Sequence, residues 1–141
     1  MKTARRILVG LKTLETTEAL VDTACRLAGR GASLLLIHVI ELPDPTPLTA
    51  AVPDLDALAT RILRKGKTVA RRHRVKVDTL VLRAHGAASA LLDEIATRKV
   101  DLAVLGYHRQ RTLGELIMGT TAQHLARQAP CRLVLDLPPR G

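Results

Sequence analysis

Short apolar runs alternate with helix-period segments along the chain, and this alternation constrains the fold more tightly than any other feature. Residues 7–11 form the first run. Thr16, Thr17 and Glu18 then read as the start of a helix in which Leu20, Val21, Ala24, Leu27 and Ala28 recur at helical spacing, and Gly29 and Gly31 end it. Residues 34–40 are almost wholly apolar, as befits a strand buried on both faces of a parallel sheet. Asp54 caps a second helix with one stripe of Leu55, Leu58, Ala59, Ile62, Gly66, Val69 and Ala70. Residues 75–82 form a third strand, and 89–98 a helix with Ala90, Leu91, Leu92 and Ile95 inward. Residues 101–106 (Asp-Leu-Ala-Val-Leu-Gly) form a fourth strand that stops at a glycine. A last helix runs from Gly119 through Ala122, Leu125, Ala126 and Ala129 to Pro130, and residues 131–137 are the fifth strand.

This order predicts right-handed crossovers and one α/β domain over residues 1–141. Its architecture is a single five-stranded parallel sheet, open and doubly wound, with helices on both faces. Ligands of such sheets bind beyond the carboxyl ends of the strands, where strand order reverses. Aromatic residues make up only 1% of the chain, so the core is packed from Leu, Val, Ile and Ala. Pro43, Pro45, Pro47 and Pro53 make residues 41–53 a long loop, read as a connection rather than a lid.

Formal net charge is +9, and its placement matters more than its size. Nine Lys or Arg stand between Arg61 and Arg83 against one acid, Asp78. Arg61, Arg64, Lys65, Arg71 and Arg72 fall opposite the apolar stripe of the second helix, which makes them a solvated outer face. A nucleic-acid binder using residues 61–74 is the alternative, but no aromatics are available to stack on bases. Cys25 and Cys131 are far apart with no CxxC spacing, and the amino end lacks the plan of a signal peptide. Reduced thiols and a cytoplasmic location are expected. The longest uninterrupted apolar runs, such as residues 34–37, are far short of a membrane span. His38, His73, His85 and His124 show no ligand spacing, and no metal is assigned.

Residues 105–121 carry the chemistry. A strand ends at Gly106, a basic loop follows with His108, Arg109 and Arg111, and Gly119 opens a helix whose first turn offers the Thr120 and Thr121 hydroxyls. Free amides at a helix start beside hydroxyls make an anion site, and a plain helix cap is the competing reading. Gly10 and Lys12 close the first strand at the same end of the sheet.

Here the sequence resembles the universal stress protein family over nearly its whole length. The resemblance rests on Arg6-Ile7-Leu8-Val9-Gly10, Leu36-Ile37-His38-Val39, the strand of residues 101–106, the Gly119-Thr120 helix entry and Ala129-Pro130-Cys131. It implies a Rossmann-like fold akin to adenine nucleotide alpha hydrolases. It also implies Val39 beside a bound base, Gly106, Thr120 and Thr121 near the phosphates of ATP, ADP or AMP, and a homodimer through strand 131–137. Nucleotide-binding members carry Gly, two residues, Gly, nine residues, then Gly with Ser or Thr. Gly106, Gly119 and Thr120 match, whereas Arg109 replaces the middle glycine and Lys12 replaces the acid at the end of strand one. These departures put an arginine where phosphates approach the backbone and remove an acceptor for ribose hydroxyls. Both substituents are cations, and an arginine can grip phosphate with two parallel hydrogen bonds.

The expected function is a stress-response or regulatory domain sensing an adenine nucleotide or another phosphate anion without catalysis. The catalytic alternative is a nucleotide hydrolase using Glu115 and His108. In strand 131–137 one face carries Arg132, Val134 and Asp136. Antiparallel pairing about Val134 would set each Arg132 against the Asp136 of the second copy.

Overall fold

The computed structural model describes residues 4–106 and 119–137, with the backbone alone of two short strands at 108–109 and 116–117. Side chains of 107–118, including His108, Arg109, Arg111 and Glu115, lie outside the described residues.

The elements follow in the order β1 (Ala4–Gly10), α1 (Leu14–Leu27), β2 (Ala28–Glu41), α2 (Pro53–Arg72), β3 (Lys76–Ala84), α3 (Ala87–Thr97) and β4 (Leu102–Gly106). The short strands β5 (His108–Arg109) and β6 (Leu116–Ile117) precede α4 (Thr120–Gln128) and β7 (Arg132–Asp136). Five strands make one sheet in the order β3-β2-β1-β4-β7, with every neighbouring pair parallel. The expected doubly wound α/β architecture is therefore the one observed. β5 and β6 pair antiparallel beyond the end of β4.

Residues alternate between two cores along the central strands. Ile7 and Val9 of β1 and Leu102 and Val104 of β4 pack with Val21 and Ala24 of α1 and Ile62 and Val69 of α2. Leu8, Ala103 and Leu105 pack with Leu91 and Ile95 of α3 and Leu125 of α4 on the opposite face. Burial on both faces is why these strands read as continuous apolar runs. Asp101 fixes the entry to the sheet, its carboxylate accepting from the backbone N–H groups of Arg5 and Arg6 at 3.1–3.2 Å.

Several boundaries differ from the sequence reading, each for a local reason. α1 is capped by Thr13, not begun at Thr16: Thr13 Oγ1 accepts from the Thr16 N–H at 3.3 Å, and buried Thr17 donates to the Thr13 carbonyl at 2.6 Å. Gly29 and Gly31 do not end that helix. They lie in the irregular first part of β2, where pairing jumps from Ala4↔Ala28 to Arg6↔Ser33, and Gly31 takes a φ of +76°. Val52 rather than Asp54 holds the cap position of α2; Pro53 supplies its first turn, and Asp54 and Asp56 complement its dipole. α3 starts two residues before Ser89, with Gly86 at its cap and no side-chain cap bond.

Arg83 ties the proline-rich segment down. Its guanidinium donates to the Leu48 and Ala50 carbonyls at 3.1 and 2.6 Å and to both Asp56 oxygens at 2.9 and 3.0 Å. One half-buried β3 side chain thus joins that segment to the first turn of α2.

Candidate functional site

Strand order reverses between β1 and β4: β2 and β3 lie to one side, β7 to the other. Beyond the carboxyl ends of these strands opens a crevice of about 1240 Å³. Gly10, Lys12, Val39, Gly106, Gly119, Thr120 and Thr121 all line it. The topology thus gathers every fully described residue that the sequence had singled out.

Each is positioned by a definable cause. Gly10 ends β1 where a Cβ would stand 2.6 Å from Leu105 Cδ2, so glycine leaves room on that face of the sheet for the Leu105 side chain of β4. Gly106 is different: a Cβ there would meet Leu20 methyl groups at 3.6 Å and beyond, so packing of the chain alone does not demand glycine. The exit of β1 is pinned to β2, because the Leu11 N–H donates to the Ile37 carbonyl at 2.8 Å and the Leu11 carbonyl accepts from His38 Nδ1 at 2.7 Å. That pinning carries exposed Lys12 to the rim, where it makes no ion pair among the described residues. α4 is capped at Gly119 with no side-chain hydrogen bond to its first turn, and Gly119, Thr120 and Thr121 at that end line the crevice.

The crevice also contains residues the sequence reading passed over. Glu15 and Thr16 come from the first turn of α1, Leu55 and Leu58 from α2, and the His85-Gly86-Ala87 entry of α3 forms another wall. Only the strand order could have announced them. Asp136, at the end of β7, lines the crevice while its Oδ1 accepts from Thr23 Oγ1 at 3.1 Å. His38 lies in a buried strand as expected, yet it reaches the crevice too.

Away from the crevice, the outer face of α2 is exposed at Arg61, Arg64, Lys65, Arg71 and Arg72. Two of these cations are engaged: Lys65 donates to the Leu14 carbonyl at 3.1 Å, and Arg72 pairs with Glu18 at 3.2 Å. Burial pushes the Cys25 thiol up to about 11, with the Asp22 charge adding to it. Cys131 is raised first by burial and then by Asp101. Neither thiol is a ready nucleophile. Among the described residues no helix is long and apolar enough to cross a membrane.

Fold and crevice together define a doubly wound α/β domain with an open crevice at its switch point. The sequence model of the Universal stress protein family matches residues 3–135. A Thermus aquaticus protein described as "Universal stress protein in QAH/OAS sulfhydrylase 3'region" is 31% identical over 110 residues, covering 74% of this chain and 77% of its own. This chain belongs to the universal stress protein family. Among solved structures, a universal stress protein from Archaeoglobus fulgidus superposes with a TM-score of 0.76 at 18% identity, covering 93% of this chain and 97% of that one. A universal stress protein in complex with cAMP gives 0.73 at 19% identity, with coverages of 96% and 98%. At such identities the likeness bears on the fold.

Proposed function

We propose that this protein is a regulatory domain that holds an adenine nucleotide in the switch-point crevice, with the phosphate at the first turn of α4. The observation that carries the reading is the meeting of Gly106, Gly119, Thr120 and Thr121 with Lys12 and Val39 around one crevice. Unpaired amides and the positive end of the α4 dipole favour a phosphate there, and exposed Lys12 adds a cation. The structural neighbour that holds cAMP supports an adenine nucleotide as the ligand class. His108 and Arg109 belong to the same proposed site through their place in the loop that leads from β4 to α4. Lys12 stands where the ATP-binding pattern has an acid, so the proposed pose draws on phosphate contacts more than on ribose contacts.

The test is a thermal-shift and calorimetry series with AMP, ADP, ATP and cAMP, using adenosine and inorganic phosphate as controls. Ligand at roughly 100 times its Kd adds about 2.7 kcal/mol to the folded state, a melting shift of several degrees. Lys12→Ala is expected to weaken the nucleotides and leave adenosine unaffected. No response to any nucleotide at millimolar concentration sinks the reading.

We further propose a homodimer through β7. This strand is an edge of the sheet and is centred on Val134, with Arg132 exposed at one end and Asp136 at the other.

A further inference from the structure

At the amino end of the sheet, away from the crevice, a second cavity of about 490 Å³ opens where α1 and α2 end and β2 and β3 begin. Its size falls within the roughly 300–1,000 Å³ of small-molecule sites. Among the described residues its ionisable lining is Cys25, Arg30, His73, Arg74 and Lys76, with no carboxylate. His73 is engaged, its Nε2 lying 2.8 Å from Asp22 Oδ1. Arg30, Arg74 and Lys76 are exposed, and none has an ion pair or side-chain hydrogen bond among the described residues.

The backbone sets two of these cations in place. Pairing of β2 with β1 jumps from Ala28 to Ser33, and pairing with β3 begins at Ser33 opposite Lys76. Arg30 therefore stands on a four-residue bulge that Gly31 turns at a φ of +76°. Arg74 follows the last turn of α2 at a φ of +58°. Its N–H donates to the Arg71 carbonyl at 3.0 Å, and the Val75 N–H donates to the Ala70 carbonyl at 3.2 Å. Helices that end this way ordinarily place glycine there. A cation at that position answers the helix dipole, and Lys99 does so after α3 at a φ of +53°. Arg74 differs in lining a cavity with two further cations. The carboxyl ends of α1 and α2 bring about half a negative charge each, so the three free cations leave an excess of about two positive charges.

We infer that this cavity binds a small anion carrying a diphosphate group. Arg30 and Arg74 can each grip phosphate oxygens with paired N–H donors, and Lys76 adds a point charge. Two linked phosphates can reach cations that stand on β2, just beyond α2 and on β3 at once. The inference is independent of the nucleotide reading, because the crevice lies at the opposite ends of the same strands.

Titration of the full chain with pyrophosphate, followed by amide NMR at low ionic strength, tests the site. Saturable shifts are expected at Gly29, Gly31 and Val75 with a Kd on the order of a millimolar, weakening as added salt screens the charges. Inorganic phosphate should bind these amides several-fold more weakly. Arg74→Gly suits the left-handed backbone, so it should fold and weaken pyrophosphate about fivefold or more, and Lys76→Ala should do the same. Lys99→Gly removes a cation from the equivalent helix end and should leave the affinity unchanged. No shift at the cavity amides with millimolar pyrophosphate overturns the site, as do shifts confined to the crevice around Gly119 and Thr120. Equal losses in Arg74→Gly and Lys99→Gly overturn it too, since the effect would then be one of overall charge. Phosphate binding as tightly as pyrophosphate overturns the diphosphate assignment.

Discussion

Gly66 occupies the interior of α2, where alanine would ordinarily favour the helix by about 1 kcal/mol. Its surroundings reverse that preference. A Cβ would stand 2.8 Å from Leu36 Cδ1 and 3.1 Å from Leu11 Cδ1, both on buried core leucines that would have to shift to admit it. Gly66→Ala is therefore expected to lower stability by about 1–2 kcal/mol, overpacking outweighing helix propensity. Urea unfolding of the two proteins checks this, and a raised midpoint would show that the core gives way easily. The sequence places Gly66 on the buried stripe but not why it is glycine, since the reason is a β2 side chain thirty residues away. His38 was opaque for a similar cause. Its position in an apolar strand says burial, while the Leu11 carbonyl that accepts from its Nδ1 and the crevice it lines exist only in three dimensions.

At the scale of elements, strands were more legible than helix ends. Continuous apolar runs such as residues 34–40 need only the chain itself to be recognised, whereas Thr13, Thr16 and Thr17 are equally good caps on paper. The choice falls to Thr13 because Leu11 is tied to β2, which sets where the chain can begin to coil. Side-chain bridges then join α1 to α2. Asp22 Oδ1 accepts from His73 Nε2 at 2.8 Å, and its Oδ2 accepts from Arg26 at 2.9 Å. Partial burial alone would raise the Asp22 carboxyl, but hydrogen bonds from Arg26 and His73 and the charges behind them hold it below its usual 3.8. A carboxyl depressed in the folded state contributes stability above its unfolded pKa and loses it as pH falls through the folded pKa. Asp22→Asn should thus be less stable than the wild-type protein at neutral pH, with the gap narrowing as pH falls below about 4 and through the lowered folded-state pKa. Urea midpoints measured across that range test it; a constant gap would mean that Asp22 acts through packing rather than charge.

For the whole molecule, one fact of topology serves both proposals: β1 and β4 are central, which puts the crevice at the switch point and leaves β7 as an edge. The order of strands was legible only as a class. A β-α-β alternation implies a reversal somewhere, and the coordinates place it at Gly10 and Gly106. An edge of five residues with Val134 against the first core is short enough to stay soluble alone and regular enough to pair. Antiparallel pairing about Val134 brings residue 132 of one copy opposite residue 136 of the other, because both lie two positions from the centre. The proposed dimer would then hold two Arg–Asp contacts, and within each copy Asp136 accepts from Thr23. Arg132→Asp sets like charges against each other twice and should weaken the dimer roughly tenfold. Adding Asp136→Arg reverses both signs and should recover most of the loss, less what the Thr23 bond contributes. Sedimentation velocity on the three proteins at one concentration separates the cases. Identical monomer fractions would reject this pairing, whereas a dimer that fails only in Arg132→Asp would establish β7 as the seam that sets two crevices on one particle.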